Sequence, residues 1–374
     1  MGQDKRVWRC YNGFSMTSPF ALTWSYLNIL TRERYDALLQ VFGNLEEPLK
    51  IINEEMLRGL RCREETIRRA LIRLEEFDAE KYAVDLTSRG ISFLTIGDDA
   101  YPKKLKEIGD PPPFLYYKGD LSILDQPCIA LVGTRDMSAL GKRAAELFTS
   151  AAVRAGLVTV SGLALGIDSV VAKETLLAGG KTVAALGHGL GMMYPQSNAK
   201  LAAEILKTGG LLLTEFPLDI SPDKYTFPAR NRIIAGLTLG TIVLEAPKGS
   251  GSIITAELAL EYNRDVFAVP GPIFDEGYRG CNELIAKGHA KLVSTPEDVF
   301  TEIGVIAPEA QKSTYSPESP VEEKILAALT SMPQKVDDLL ERSLLDASTV
   351  RSTLTMLELA GAVKNVGNGE WIRT

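Results

Sequence analysis

From residue 18 to about residue 85 apolar positions recur every three or four. In "ALTWSYLNILTRERYDALLQVFG" they mark one face of successive helices, with Gly43 as a helix stop. The same period runs on through "TIRRALIRLEEFDAEKYAVDLTSRG", which predicts a further long helix. Residues 1–85 therefore read as a small helical domain.

From "ISFLTIGDD" at residue 91 the pattern changes. Nearly continuous apolar runs, "CIALVG", "LVTVSG", "KTVAALG", "GLLLTEF", "GTIVLEA" and "RDVFAVPG", alternate with helical stretches such as "LGKRAAELFTSAAVRAG". Strands apolar on both faces and separated by helices predict a parallel sheet covered on both sides, because a crossover helix must pack on each face. Residues 86–304 are thus an α/β domain, a Rossmann-like, doubly wound, mostly parallel sheet. Residues 305–320, "VIAPEAQKSTYSPESP", have the proline and serine content of a linker. After it, residues 321–374 read as helix, helix, short turn, helix and a glycine-bearing hairpin, which predicts a C-terminal winged helix.

Composition narrows the function. The chain has 374 residues, 45% hydrophobic and 24% charged, with a net charge of −7. That is an ordinary globular balance, and the acidity means that any nucleic-acid binding must come from a local concentration of Arg and Lys. Cys10, Cys62, Cys128 and Cys281 are far apart with no CxxC pair, and His188 and His289 add no metal-ligand spacing. A structural metal and a disulfide framework are therefore not expected. The first residues, "MGQDKRVWRCYNGF", lack the apolar core of a signal peptide, and no apolar run reaches the ~18 residues of a membrane span. The expected location is the cytoplasm, with no membrane association.

In open parallel sheets ligands bind beyond the carboxyl ends of the strands, and the polar, glycine-rich segments "GTRDMSALG", "SGLALGIDS", "GHGLGMMYP", "EFPLD" and "APKGSGSIITAE" fall there. Backbone N–H groups and helix dipoles at those positions suit phosphate or carboxylate. Arg135 offers a bidentate contact to phosphate oxygens. Three familiar signatures are absent. "GGKT" at 179–182 has Thr175 where a Walker A loop begins with glycine, the first strand-to-helix turn is not GxGxxG, and there is no GxSxG elbow. Each candidate also has a plainer reading. Gly133, Gly162 and Gly187 can serve tight turns, Arg135 a surface ion pair, Asp168 a first-turn carboxylate, and His188 a loop hydrogen bond. Glu215 and Glu245, at strand ends, read either as paired catalytic acids or as anchors for loops and arginines.

Taken together, "IALVGTRDMSALG", "VTVSGLALGIDS", "GGKTVAALGHGLGMMYPQSNAKLAAEI", "LLLTEFP", "FPARNRIIAGL", "GSGSIITAELALEYNRDVFAVPG" and "GCNELIAKGHAKLV" resemble the DprA/Smf family of DNA-processing proteins, in that family's order and spacing over about 200 residues. The preceding "DDAYPKKLKEIGDPPPFLYYKGD" resembles the family's lead-in, and a helical (SAM-like) N-terminus and winged-helix end occur in many members. The resemblance implies sequence-independent binding and protection of single-stranded DNA, its delivery to a RecA-type recombinase during natural transformation, and a homodimer. It implies no enzyme activity, no catalytic residue, no metal and no cofactor.

By motif, the expected DNA contacts are Gly133, Thr134 and Arg135, Ser161 and Gly162 of the second loop, Phe227, Arg230, Asn231 and Arg232 of "FPARNR", and Ser250, Gly251 and Ser252, with Lys248 adding charge. Arg230 and Arg232 are two apart on a helix and so point to different sides, one toward DNA and one bracing the loop. Pro228 is expected to fix the helix start and leave the following N–H groups free for an anion. The chain departs from the family where a basic residue and a histidine are common, having Leu165 and Ala172, and it has His188 and Gly191 where Thr and Asp are common. The N-terminal region also lacks the glycine-bearing hairpin of a helix-hairpin-helix. The winged helix has six Lys/Arg against eight Asp/Glu, and its third helix carries only Arg351 as a cation, which predicts a protein-contact element. The alternative reading is a Rossmann-like nucleotide phosphoribohydrolase, whose PGGxGTxxE corresponds to "PKGSGSIITAE", with Glu257 as its acid.

Overall fold

The computed structural model describes residues 18–306, 317–330, 333–367 and 369–373, so most of the linker predicted over 305–320 lies outside the described residues. The chain divides into two compact units, residues 1–307 and 308–374.

The first unit is built on a nine-stranded sheet. In chain order its strands are β1 (Ser92–Thr95), β2 (Phe114–Gly119), β3 (Cys128–Val132), β4 (Val158–Ser161), β5 (Thr182–Ala185), β6 (Leu211–Thr214), β7 (Gly240–Val243), β8 (Asp265–Ala268) and β9 (Lys291–Leu292). Their spatial order is β1-β2-β6-β5-β4-β3-β7-β8-β9. From β6 across to β9 all pairings are parallel, and β1 and β2 add an antiparallel edge on β6. The parallel strands β3 to β7 are buried along their whole length, as sheet strands covered on both faces must be. The mostly parallel, doubly wound α/β class read from the periodicity is the observed one. The sequence pattern did not mark β2, whose lead-in "PPPF" offers no alternation, or the two-residue β9.

Six helices lie between Pro19 and Ser88. Where the pattern predicts one long helix, there are two, Glu64–Glu76 and Ala79–Ser88. Phe77 takes an extended conformation, and the Asp78 carboxylate accepts from the N–H groups of Glu80 and Lys81, capping the second helix instead of continuing the first. These helices share one core with the sheet. Trp24, Leu27, Leu38, Leu57 and Ile67 pack in the same buried cluster as Val158, Val160, Val183 and Leu213, and Tyr116 of β2 donates to Ser25 Oγ at 2.8 Å. The opposite face of the sheet is covered by the Ala139–Arg154 and Ile167–Leu177 helices around Phe148, Ile167 and Phe267.

The second unit has helices Pro320–Ala328, Val336–Ser343 and Ala347–Leu359, followed by the hairpin of β11 (Val363–Gly367) and β12 (Glu370–Arg373), with the short β10 (Gln334–Lys335) paired to β12. Ile325, Leu339, Leu354 and Trp371 form its own core. This is the order of elements expected of a winged helix.

Candidate nucleic-acid interface

The sheet reverses its direction of growth at β3. The chain winds from β3 through β4 and β5 to β6 on one side, then returns to β7 and runs outward on the other. The crevice beyond the carboxyl ends of β3 and β7 is the place where an open α/β sheet binds ligands. A cavity of about 300 Å³ opens there, walled by the loops after β3, β4 and β7 and by the first turns of the Thr226–Leu237 helix. A smaller recess adjoins it, sharing Arg135, Phe227 and Arg230 and adding Leu165, His188, Tyr194 and Pro195.

Most of the residues read from the motifs meet in this crevice. Gly133, Thr134, Arg135, Phe227, Arg230, Asn231, Ser250, Gly251 and Ser252 line the cavity, and Gly162 lines the recess. Arg135 is exposed, and its guanidinium lies 4.8 Å from the centre of the Phe227 ring. Among the described residues no carboxylate forms an ion pair with it, which differs from the surface-pair reading of this arginine. A planar cation on the face of an aromatic ring keeps its donors in one plane, open to phosphate oxygens.

Arg230 is held differently. It is 6% exposed, donates through Nη1 to Ala185 O at 2.9 Å and through Nε to Asn231 Oδ1 at 3.1 Å, and leaves Nη2 without a hydrogen-bond partner among the described residues. Its guanidinium lies flat against Gly162, where an added Cβ would fall 1.6 Å from Nη1. The glycine is there because a side chain and this arginine cannot both occupy the site. Asp168 supplies the counter-charge. It accepts from the N–H groups of Gly162 at 3.0 Å and Ala164 at 3.4 Å. Burial pushes the Asp168 carboxyl up, against the pull of Arg230, and the same burial pulls the Arg230 guanidinium down. Arginine remains cationic even so. Asn231 completes the wall by donating to Gly251 O at 3.1 Å, which joins the arginine-bearing helix to the Gly251–Glu261 helix.

Three expected residues lie elsewhere. Arg232 turns away from the cavity and donates to Asp110 Oδ2 at 3.0 Å and to Glu215 Oε2, so it is the bracing member of the pair. Lys248 is exposed on the β7 loop, outside the lining, with its ammonium 3.3 Å from Glu283. Ser161 is the last residue of β4, 1% exposed, and does not line the cavity. The N–H groups after Pro228 are also not free, because the Ala229 N–H already bonds Tyr225 O at 3.5 Å. Leu165, where the family motif commonly has a cation, does stand at the recess and is exposed, whereas Ala172 is buried in the helix interior.

The acids are engaged structurally. Glu215 binds Arg232, and Glu245 accepts from both the N–H and the Oγ of Ser138, holding the loop that carries Arg135. Burial raises the carboxyl of each. His188 is a loop hydrogen-bonder. Its Nε2 accepts from Tyr194 N–H at 3.2 Å while Nδ1 faces Gly189 O at 2.9 Å, and burial holds its imidazole below the usual range. Tyr194, Pro195 and Thr255 also line the crevice and were not singled out from the sequence, although the aromatic in "MMYPQSN" was a usable signal.

Comparison with known proteins gives a consistent picture. Residues 92–304 match the family model of DNA recombination-mediator protein A, and residues 308–369 match the DprA winged helix domain. Protein Smf of Escherichia coli (strain K12) is 41% identical over 278 residues, covering 72% of this chain and 74% of that protein. DNA processing protein DprA of Streptococcus pneumoniae (strain ATCC BAA-255 / R6) is 47% identical over 208 residues, 56% of this chain and 73% of the relative. Among solved structures, DNA processing protein A of Streptococcus pneumoniae superposes with a TM-score of 0.64 at 36% identity, over 76% of this chain and 98% of that one. DNA processing protein A of Helicobacter pylori, described for its single-stranded DNA binding mode, superposes with a TM-score of 0.52 at 32% identity, over 57% and 95%.

Proposed function

Because the chain belongs to the DNA recombination-mediator protein A family, the one its motifs resemble, we propose that it binds single-stranded DNA without sequence preference in the crevice at the carboxyl ends of β3, β4 and β7. The observation that carries the reading is the convergence of Arg135, Phe227 and Arg230 there, with Arg135 lying over the Phe227 ring and free of a carboxylate partner among the described residues. Cations for the backbone beside an aromatic for a base are the two ingredients of single-strand binding that ignores sequence. The proposed contact residues are Gly133, Thr134, Arg135, Gly162, Phe227, Arg230, Asn231, Ser250, Gly251 and Ser252. Arg232 and Lys248 act at a distance, the first through bracing and the second through charge.

The domain plan that goes with this reading is a helical segment over residues 1–85, the DNA-binding domain over 86–304, a linker over 305–320 and the winged helix over 321–374. The role proposed with it is that of a cytoplasmic, homodimeric protein that protects incoming single strands and loads a RecA-type recombinase on them during transformation. No reaction is assigned. The alternative, nucleotide hydrolysis, requires an acid in the crevice, but Glu257 is exposed and outside it, and the carboxylate that does line it, Asp168, is committed to two N–H groups and to Arg230. Fluorescence anisotropy with labelled single- and double-stranded oligonucleotides tests the binding. A single-strand preference that Phe227→Ala weakens supports it, and equal binding of both forms overturns it. Nuclease protection of the bound strand, and faster recombinase filament formation on precoated DNA, test the protecting and loading roles separately.

A further inference from the structure

One wall of the crevice is supported from outside the sheet domain. The segment Gly187–Pro195, which contributes His188 and Tyr194 to the recess, packs Leu190 and Met193 against a cluster that includes Ala184 and Leu212 of the sheet, and its backbone also leans on residues 217–220. Gly189 N–H bonds Ile220 O at 2.8 Å and Gly191 N–H bonds Leu218 O at 3.2 Å. The approach is close enough that a Cβ on Gly189 would fall 1.9 Å from Pro217 O. Residues 217–220 also lead, through Asp223, into the helix that bears Phe227 and Arg230; the Asp223 N–H bonds Thr226 Oγ1 at 2.9 Å. Two walls of the crevice therefore depend on where this one segment sits.

The N-terminal helices hold it. Arg73 on the Glu64–Glu76 helix clamps Asp219 through two hydrogen bonds, Nη1 to Oδ2 at 2.6 Å and Nη2 to Oδ1 at 3.1 Å. The same guanidinium is itself fixed, donating through Nε to Tyr26 O at 3.0 Å and lying 3.9 Å over the Tyr26 ring. Beside it, the Tyr82 hydroxyl accepts from Leu218 N–H at 3.1 Å, and Leu218 is buried among Leu22, Leu86 and Tyr116. A bidentate guanidinium–carboxylate pair with its cation already ordered by other contacts loses little entropy in forming and sets position sharply.

We propose that Arg73 and Tyr82 are positioning residues for the DNA crevice, holding residues 217–220 so that the Gly187–Pro195 wall and the first turn of the Phe227 helix keep their spacing. The inference rests on the DNA-binding reading for its consequence but not for its geometry, and it gives the N-terminal helices a task that needs no DNA contact of their own.

The test uses the full chain carrying Arg73→Met, Asp219→Asn or Tyr82→Phe, with two readouts. Single-strand affinity is expected to fall roughly five- to tenfold with the salt slope unchanged, because no phosphate contact is removed. The chain has two histidines, so the His188 signal can be followed by NMR. Its titration is expected to move up toward the ordinary imidazole range as its loop opens. If Arg73→Met does not fold, Asp219→Asn and Tyr82→Phe carry the test. Folded variants with the wild-type His188 titration overturn the proposal, as does a salt slope lowered by about 1, which would make Arg73 a phosphate ligand. If the wild type itself binds no single strand while the His188 titration still responds, the functional reading fails and the positioning geometry stands.

Discussion

Arg230 and Arg232 share one helix and finish in opposite surroundings. Arg230 faces the crevice with Nη2 unpartnered among the described residues, and Arg232 faces Glu215 and Asp110 with its side chain 15% exposed. Removing Arg232 leaves the Glu215 carboxylate buried and uncompensated, so Arg232→Ala is predicted to cost about 3 kcal/mol of stability in urea denaturation while leaving the DNA salt slope unchanged. Gly162→Ala should do the reverse. It displaces the Arg230 guanidinium from its seat, so affinity for a single strand falls by about tenfold or more, read by anisotropy, with a smaller change in stability. His188 provides a pH test. Its folded pKa is depressed by burial, so its contribution to stability is fully present above the unfolded imidazole pKa of about 6.5 and is lost as pH falls from there through the folded value. Wild type should lose stability over that window relative to His188→Gln, and parallel curves for the two proteins would show that His188 does not titrate differently on folding.

The elements that position these side chains follow from local rules with two exceptions. The parallel strands β3 to β8 were legible because β-branched, two-sided apolar runs admit little else, whereas β9 is two exposed residues with no such run. The motif segments were legible as a group because Gly133 and Arg135 follow β3, Gly162 follows β4 and Gly251 follows β7, with Arg230 in the first turns of the helix that follows β6. What periodicity could not show was direction. It gave Arg230 and Arg232 different sides without saying which faced the ligand, and it joined two helices that Asp78 separates by capping. Ser161 and Lys248 were placed in the site by their neighbours in sequence, and the strand pleat and the Glu283 pair take them out of the lining. The winged helix is a separate element with its own core, and its Ala347–Leu359 helix exposes Met356 and Leu359 while carrying Arg351 as its one cation. A groove-reading helix would be basic. Truncation after residue 306 is accordingly predicted to leave single-strand affinity within about twofold, since the crevice cations all lie in the first unit. A tenfold loss would transfer DNA contacts to the winged helix.

At the scale of the molecule, a chain of net charge −7 is proposed to hold a polyanion, which works only if the cations are local and shielded from the surrounding acids. The fold does this by turning acids inward on structural duties. Asp168 caps a loop beneath Arg230, Glu245 ties down the Arg135 loop, and Glu215 is spent on Arg232. With Leu165 in place of the family's common cation, few charges do the work, and each should be visible individually in the salt dependence. The most direct measurement is the affinity of the full chain for a labelled single-stranded oligonucleotide across a salt series, for wild type and Arg135→Ala. Log affinity is expected to fall linearly with log salt, with weaker binding by the variant and a slope smaller by about 1. A variant with the wild-type affinity and slope would contradict the crevice as the DNA site.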